Sequence, residues 1–201
     1  MGMWCKDLSN SPSTMERLVS IELLHELVQK PELRTAIRRF LPQIIETIVK
    51  VLDPSNMEER EKLRPGIIPV LHSIVTNFEV VSFDQESQQL AVASQSQVWV
   101  YDLKSSTRTA FFEAPAPVEQ LINKKNKIGG LVRISKENRQ LILWNINSTG
   151  SGFLGGILSR NPSKGISCLK SPVYGLIEGI LTFQNNNKLS LVLNEHIQAQ
   201  L

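Results

Sequence analysis

Cysteine is nearly absent from this chain: Cys5 and Cys168 lie far apart, and neither has a CxxC partner. That argues against a disulfide framework or a thiolate metal site and favours a reducing compartment. The three histidines, His25, His72 and His196, show no HExxH or paired-histidine spacing, so no metal is expected. No GxSxG is present, and Cys168 has no base nearby in sequence, which leaves nucleophilic catalysis without support. Gly150-Ser151-Gly152, Gly155-Gly156 and Ser163-Lys164-Gly165 lack both the P-loop lysine spacing and the GxGxxG spacing. No apolar run approaches the ~18 residues that span a bilayer. The start, Met1 to Asp7, has no apolar signal core and carries an early acid. The sequon Asn147-Ser148-Thr149 is accordingly read as unused. Charge of one sign is also scarce, with a net of +3. Its densest basic run, Lys124-Lys125-Asn126-Lys127, reads as a solvated turn rather than a nucleic-acid or lipid site. Glu58, Glu59 and Glu61 alternate with Arg60, Lys62 and Arg64, the mix of a solvated helix face. No enzyme, cofactor or catalytic residue is expected from any of this.

Apolar content of 41% with 20% charged residues is that of a globular chain, and 201 residues suffice to bury a core. Two periods divide it. In the first part, Ser13 or Thr14 can cap a helix, with Glu16 three residues after Ser13 at the capping-box spacing. Leu18, Ile21, Leu24, Leu27 and Val28 then form one apolar stripe. Pro31 ends that helix or starts the next, and Arg34, Arg38 and Arg39 share a polar face opposite Leu33, Ile37, Phe40 and Leu41. A second apolar helix opens at Pro42 and runs through Ile44, Ile45, Ile48 and Val49 to Leu52, closed by Asp53-Pro54. Ser55 or Asn56 caps a short charged helix, Met57 to Leu63, which Pro65-Gly66 breaks before a last helix from Ile67 to Phe78. Leu41 to Val49 and Ile68 to Val75 look alike, each with an early proline, and suggest stacked helical pairs of HEAT or armadillo type.

From Glu79 the period becomes strand-like. Strands are expected at Val80 to Phe83, Leu90 to Ala93, Val98 to Tyr101 and Thr107 to Phe112, with short polar turns between them. Ala114-Pro115-Ala116-Pro117 marks a crossing to a second unit, with strands at Val118 to Ile122, Gly129 to Ile134 and Gln140 to Trp144. After a Ser/Gly-rich link from Asn147 to Gly152, four further strands are expected at Phe153 to Leu158, Ser167 to Leu169, Leu176 to Phe183 and Lys188 to Leu193. Two strings anchor the pattern: Val98-Trp99-Val100-Tyr101-Asp102-Leu103 and Leu141-Ile142-Leu143-Trp144-Asn145-Ile146. Tyr101 and Trp144 are 43 residues apart, within the ~40–45 of a WD-type propeller blade. Trp99, Tyr101 and Trp144 are expected as blade core, and Asp102 as the cap of a strand-end turn, with Asn145 in the matching place.

The expected fold class is therefore α+β: an N-terminal helical repeat followed by antiparallel WD40-like blades of a partial propeller. The expected divisions are a flexible N-terminus over 1–13, helices over 14–78, and a β domain over 79–201 with two blades and a strand-rich tail. A propeller needs about four to eight blades to close. The chain is too short for that, so the open blades should be completed or covered by a partner or by the helical half.

Helical repeats running into WD-like blades resemble the C-terminal region of the rabconnectin beta-subunit family of large WD-repeat proteins. Val81-Ser82-Phe83, Leu90-Ala91-Val92-Ala93, Val100-Tyr101-Asp102-Leu103-Lys104, Trp144-Asn145 and Phe153-Leu154-Gly155-Gly156 carry the likeness, and Leu176 to Leu193 is similar to that family's terminal strand pair. The chain departs from the WD pattern in lacking the Gly-His dipeptide, in Ala93-Ser94 where glycine is usual, and in Asn145 where Asp is usual. The resemblance implies a non-catalytic cytoplasmic scaffold, peripheral on endosomal or vesicle membranes. It also implies as partners a rabconnectin alpha-like protein and the V1 sector of the vacuolar proton-pumping ATPase, whose assembly and vesicle acidification it would regulate. The alternative is a helical-repeat and WD scaffold in another assembly, such as vesicle-coat, ciliary or ribosome-biogenesis machinery.

Overall fold

The computed structural model describes Leu8, residues 11–136 and 138–146, and the backbone of strands at 169–174, 179–183, 189–193 and 198–200. Helix α1 spans Thr14–Gln29. Ser13 caps it, accepting from the Glu16 N–H at 3.4 Å. The Glu16 carboxylate does not return to the Ser13 N–H as a capping box would. It accepts from the Ser11 hydroxyl, and Ser11 Oγ takes the Ser13 N–H at 3.2 Å. A 3₁₀ turn at Pro31–Leu33 leads into the short helix α2, Arg34–Arg38. Helix α3, Leu41–Val51, carries Pro42 in its first turn, where the missing N–H costs nothing.

Helix α4 departs from the sequence expectation. Met57 to Leu63 and Ile67 to Phe78 are not two helices but one, Met57–Asn77, with Pro65 and Pro69 inside it. Asn56 is the cap, accepting from the Glu59 N–H while its amide donates to Glu59 Oε2 at 2.8 Å. Each proline removes one helical hydrogen bond, but both lie on the exposed side, where water serves the freed carbonyls. Leu63, Ile67, Val70 and Ile74 hold the opposite side in the core across the interruption. Gly66 adds close approach, since a Cβ there would lie 3.1 Å from Ile21 Cγ2 of α1. The two proline-bearing strings are not structurally equivalent: Pro42 starts α3, whereas Pro69 sits in the middle of α4.

Helices α1 and α4 run parallel. Arg17 pairs with Glu59, Ile21 meets Gly66, His25 Nε2 lies 3.1 Å from Ser73 Oγ, and the Asn77 amide donates to the Val28 carbonyl at 3.3 Å.

Strands β1 (Val81–Asp84), β2 (Gln89–Ser94), β3 (Gln97–Asp102) and β4 (Thr107–Glu113) form one antiparallel sheet in sequence order. Strands β5 (Val118–Lys124), β6 (Lys127–Arg133), β7 (Asn138–Asn145) and β8 (Leu169–Tyr174) form a second in the same order. Strands β9 (Gly179–Phe183), β10 (Leu189–Leu193) and β11 (Gln198–Gln200) make a third, and β9 lies against β5 and β6. The chain is thus a helical segment followed by antiparallel meanders of the blade type, as expected.

The tail differs in detail. The strand placed at Ser167 to Leu169 runs instead over Leu169–Tyr174 and completes the second sheet, while β11 had no counterpart in the pattern. Pro172 hides β8 from a sequence reading. Among the described residues β8 pairs only with β7, an edge position at which proline is tolerated. Phe153 to Leu158, the 147–152 link with its sequon, His196, Cys5 and Cys168 lie outside the described residues.

The layers stack in a fixed order. Register places Val81, Val92, Trp99 and Phe111, with Phe83, Leu90 and Tyr101, on one face of the first sheet. Helix α3 packs on that face through β2, and Ser106 Oγ at the β3–β4 turn donates to the Leu52 carbonyl at 2.9 Å. Ser82, Ala91, Val98, Val100 and Phe112 lie on the other face, against the second sheet. One unbroken core runs from Leu24 and Val28 of α1 through Ile44, Ile45 and Ile48 of α3, across the first sheet, to Ile142 and Trp144. Each fully buried Ile or Leu of this set contributes about 1.5–3 kcal/mol. Leu131 and Leu141 are buried on the far face of the second sheet.

Candidate functional site

Both anchor strings end the third strand of a four-stranded meander. Tyr101 pairs with Leu90 and Trp144 with Ile128, the same position in each sheet. Each aromatic faces the layer that precedes its own sheet. Trp144 faces the first sheet and stacks on Phe112, with ring centroids 6.0 Å apart and planes at 24°. Its ring also lies over Gly130, where a Cβ would come within 2.6 Å of Cζ3. Tyr101 faces α3, so the helical layer occupies the place of a preceding blade. Burial, and then the charge of Glu46 on α3, push the Tyr101 phenol above its ordinary range, while Arg108 opposes them. Trp99 is half-buried on the same face, tilted 35° against Phe111 at 5.5 Å.

Asp102 accepts from the backbone N–H groups of Lys104 at 2.7 Å and Ser105 at 3.4 Å. It caps a turn and does not cross between layers. Asp102→Ala is therefore expected to cost only about 1 kcal/mol, checked by urea denaturation. Asn145 is half-buried at the matching end of β7. The five anchor residues do not converge on one spot: Trp99 and Tyr101 face the helices, while Trp144 lies between the sheets.

A polar seam between the sheets was not visible in the sequence. Asp84 is buried at the end of β1 and accepts from Ser87 Oγ at 2.6 Å and the Glu86 N–H at 3.2 Å. It also accepts from the Lys125 N–H of the second sheet at 2.8 Å. Burial opposes ionisation of Asp84, but the hydrogen bonds from Ser87, Lys125 and Glu86 outweigh it and hold the carboxyl below its ordinary value. Ser82 Oγ takes the Asn123 N–H at 2.9 Å, and the Asn123 amide donates to the Gln89 carbonyl at 3.1 Å. The Gln89 amide reaches Asn126 Oδ1 at 3.0 Å.

The basic run forms a tight hairpin, as expected. Lys125 and Asn126 take φ of 47° and 64°, the two positive values of a two-residue type I′ turn, and Lys125 Nζ lies 3.3 Å from Glu86. The one legible hint of the seam was Asp84 three residues before Ser87, a local turn pattern that carries no news of a second sheet.

A second clasp joins the helical layer to the second sheet. Arg133 and Arg139 both donate to Glu119 on β5, Arg139 Nε at 2.6 Å. Arg38 of α2 donates to the carbonyls of Val118 at 3.1 Å and Glu119 at 3.4 Å. Among the described residues no group of His, Cys, Asp or Glu is placed to hold a metal ion, and no helix is long and apolar enough to cross a membrane. The seam ties the two sheets together through these bonds, while Gln89 Oε1 and Asn123 Oδ1 are buried in it without a hydrogen-bond partner.

No protein-family model matches this chain, and no curated protein matches it. Among solved structures, it is similar to the β-propeller domain of Myceliophteria thermophila Cps50 (Swd1), at 12% identity and a TM-score of 0.40, over 62% of this chain and 38% of that one. It is also similar to Saccharomyces cerevisiae Sqt1, at 11% identity and a TM-score of 0.37, over 64% of this chain and 31% of that one. The chain thus spans well under half the length of either neighbour. Likeness this loose carries no reading of fold or function, which rests on the chain's own strand order and register.

Proposed function

We propose that the chain is a non-catalytic scaffold, with a helical segment over 14–78 and a β segment over 79–201 that together present surfaces to other proteins. The observation that supports this best is the repeated placement of Tyr101-Asp102 and Trp144-Asn145 at the third-strand ends of consecutive four-stranded sheets. Hydrogen bonds from the Asn123 and Lys125 N–H groups to Ser82 and Asp84 brace the two sheets against each other. The finer reading is a role like that of the rabconnectin beta subunit: association with a rabconnectin alpha-like protein and the V1 sector, in support of vacuolar ATPase assembly and vesicle acidification. The sequence strings at 81–83, 90–93 and 100–104 support it, together with their position directly after helices. Capture of the tagged chain from cells tests it. Recovery of V1 subunits, lost in a Trp144→Ala variant, is the expected result. Recovery of coat, ciliary or ribosome-biogenesis subunits without V1 would retain the scaffold and reject the proton-pump role.

A further inference from the structure

Helix α1 buries one side and leaves an apolar ridge on the other. Met15, Val19 and Leu23 recur at i, i+4 and i+8, and are 70%, 48% and 51% exposed. A single exposed apolar residue needs no explanation, but three in one row at helical spacing do. Stacked helices bury their faces against neighbours, and an end helix that faces water carries a polar outer side. The outer side of α1 instead mixes this apolar row with exposed carboxylates. The charges beside the ridge all have one sign: Glu22 and Glu26 are exposed next to it, with Glu16 on the other flank. Arg17 is the one lysine or arginine within α1, and it is turned to Glu59 on α4.

We propose that this ridge docks a basic amphipathic helix of a partner protein, laid along α1 as α4 is on its other side. Apolar anchors at three- and four-residue spacing would meet Met15, Val19 and Leu23, and flanking Lys or Arg would meet Glu22 and Glu26. A second copy of the chain is the poorer occupant, because two such ridges would bring glutamates against glutamates. The proposal deepens the scaffold reading by giving the chemistry of one partner surface, and it does not depend on the proton pump being that partner.

Two designed 18-residue helical peptides test it, each with one leucine stripe, flanked by lysines in one and by glutamates in the other. Fluorescence anisotropy with the whole chain should show the lysine peptide binding at least tenfold tighter. Val19→Ser with Leu23→Ser should weaken it by tenfold or more, and Glu22→Lys with Glu26→Lys should reverse the preference. All four positions are exposed, so the variants should unfold at the temperature of the parent. Equal binding of the two peptides, or unchanged binding by the serine variant, would overturn the proposal. So would self-association of the chain, seen by sedimentation and abolished by the serine variant, which would assign the ridge to a second copy. None of these outcomes alters the cell-capture result, so the two readings fail separately.

Discussion

Trp144→Ala is expected to destabilise the chain by about 3–5 kcal/mol. Trp144 is 1% exposed, stacks on Phe112 of the first sheet and covers Gly130 of its own. Its removal leaves a cavity that two sheets must close at once. Gly130→Ala should cost about 1–3 kcal/mol for the opposite reason, since its methyl would meet the Trp144 ring at 2.6 Å. The two effects share one contact, so they will not add. In a Trp144→Ala background the alanine at 130 should cost little, and a double-mutant cycle by urea denaturation should give a coupling of about 1–3 kcal/mol. Simple additivity would mean that the ring does not lie over Gly130.

Asp84→Ala is expected to cost about 1–3 kcal/mol, because it removes a buried acceptor from three part-buried bonds, those of the Lys125 and Glu86 N–H groups and the Ser87 hydroxyl. The same carboxylate has a signed pH effect. Its folded pKa lies below the ordinary aspartate value, so the unfolded chain takes up the proton first as pH falls. The stabilisation is complete above the unfolded pKa and is lost as pH falls through the folded one. Asp84→Asn should flatten this acid limb of the stability–pH curve while leaving the limb above neutral pH unchanged. An identical acid limb in both proteins would show that Asp84 is not the braced group. Asp102, two strands away in the same register row, should contribute far less, because its partners are the neighbours of its own turn.

That contrast shows which parts were legible in the sequence. Period, turn chemistry and a 43-residue spacing are local signals, and they placed β1 to β7, the switch from helix to strand near residue 79 and the ends of both third strands. Asp84 opens the polar turn between β1 and β2, and a turn is all that its neighbours in sequence reveal. Its link to Lys125 depends on how the second sheet lies over the first. Pro65 and Pro69 misled because helix propensity is local, whereas the Leu63, Ile67, Val70 and Ile74 stripe is paid back only by tertiary packing. Pro172 misled in the same way, since an edge position is a property of the assembled sheet. The packing of α3 on the Tyr101 face of the first sheet, the side on which a preceding blade would sit, is likewise set by tertiary structure and not by local pattern.

That substitution of helices for a blade is the central claim, and native-state hydrogen exchange across a denaturant series tests it most directly. If the helical layer is an integral wall of the stack, amides in 44–51 should open with the same free energy as those in 90–93, 98–101 and 141–144, in one global unfolding step. Opening of 44–51 at a clearly lower free energy, with the strands still protected, would contradict the account.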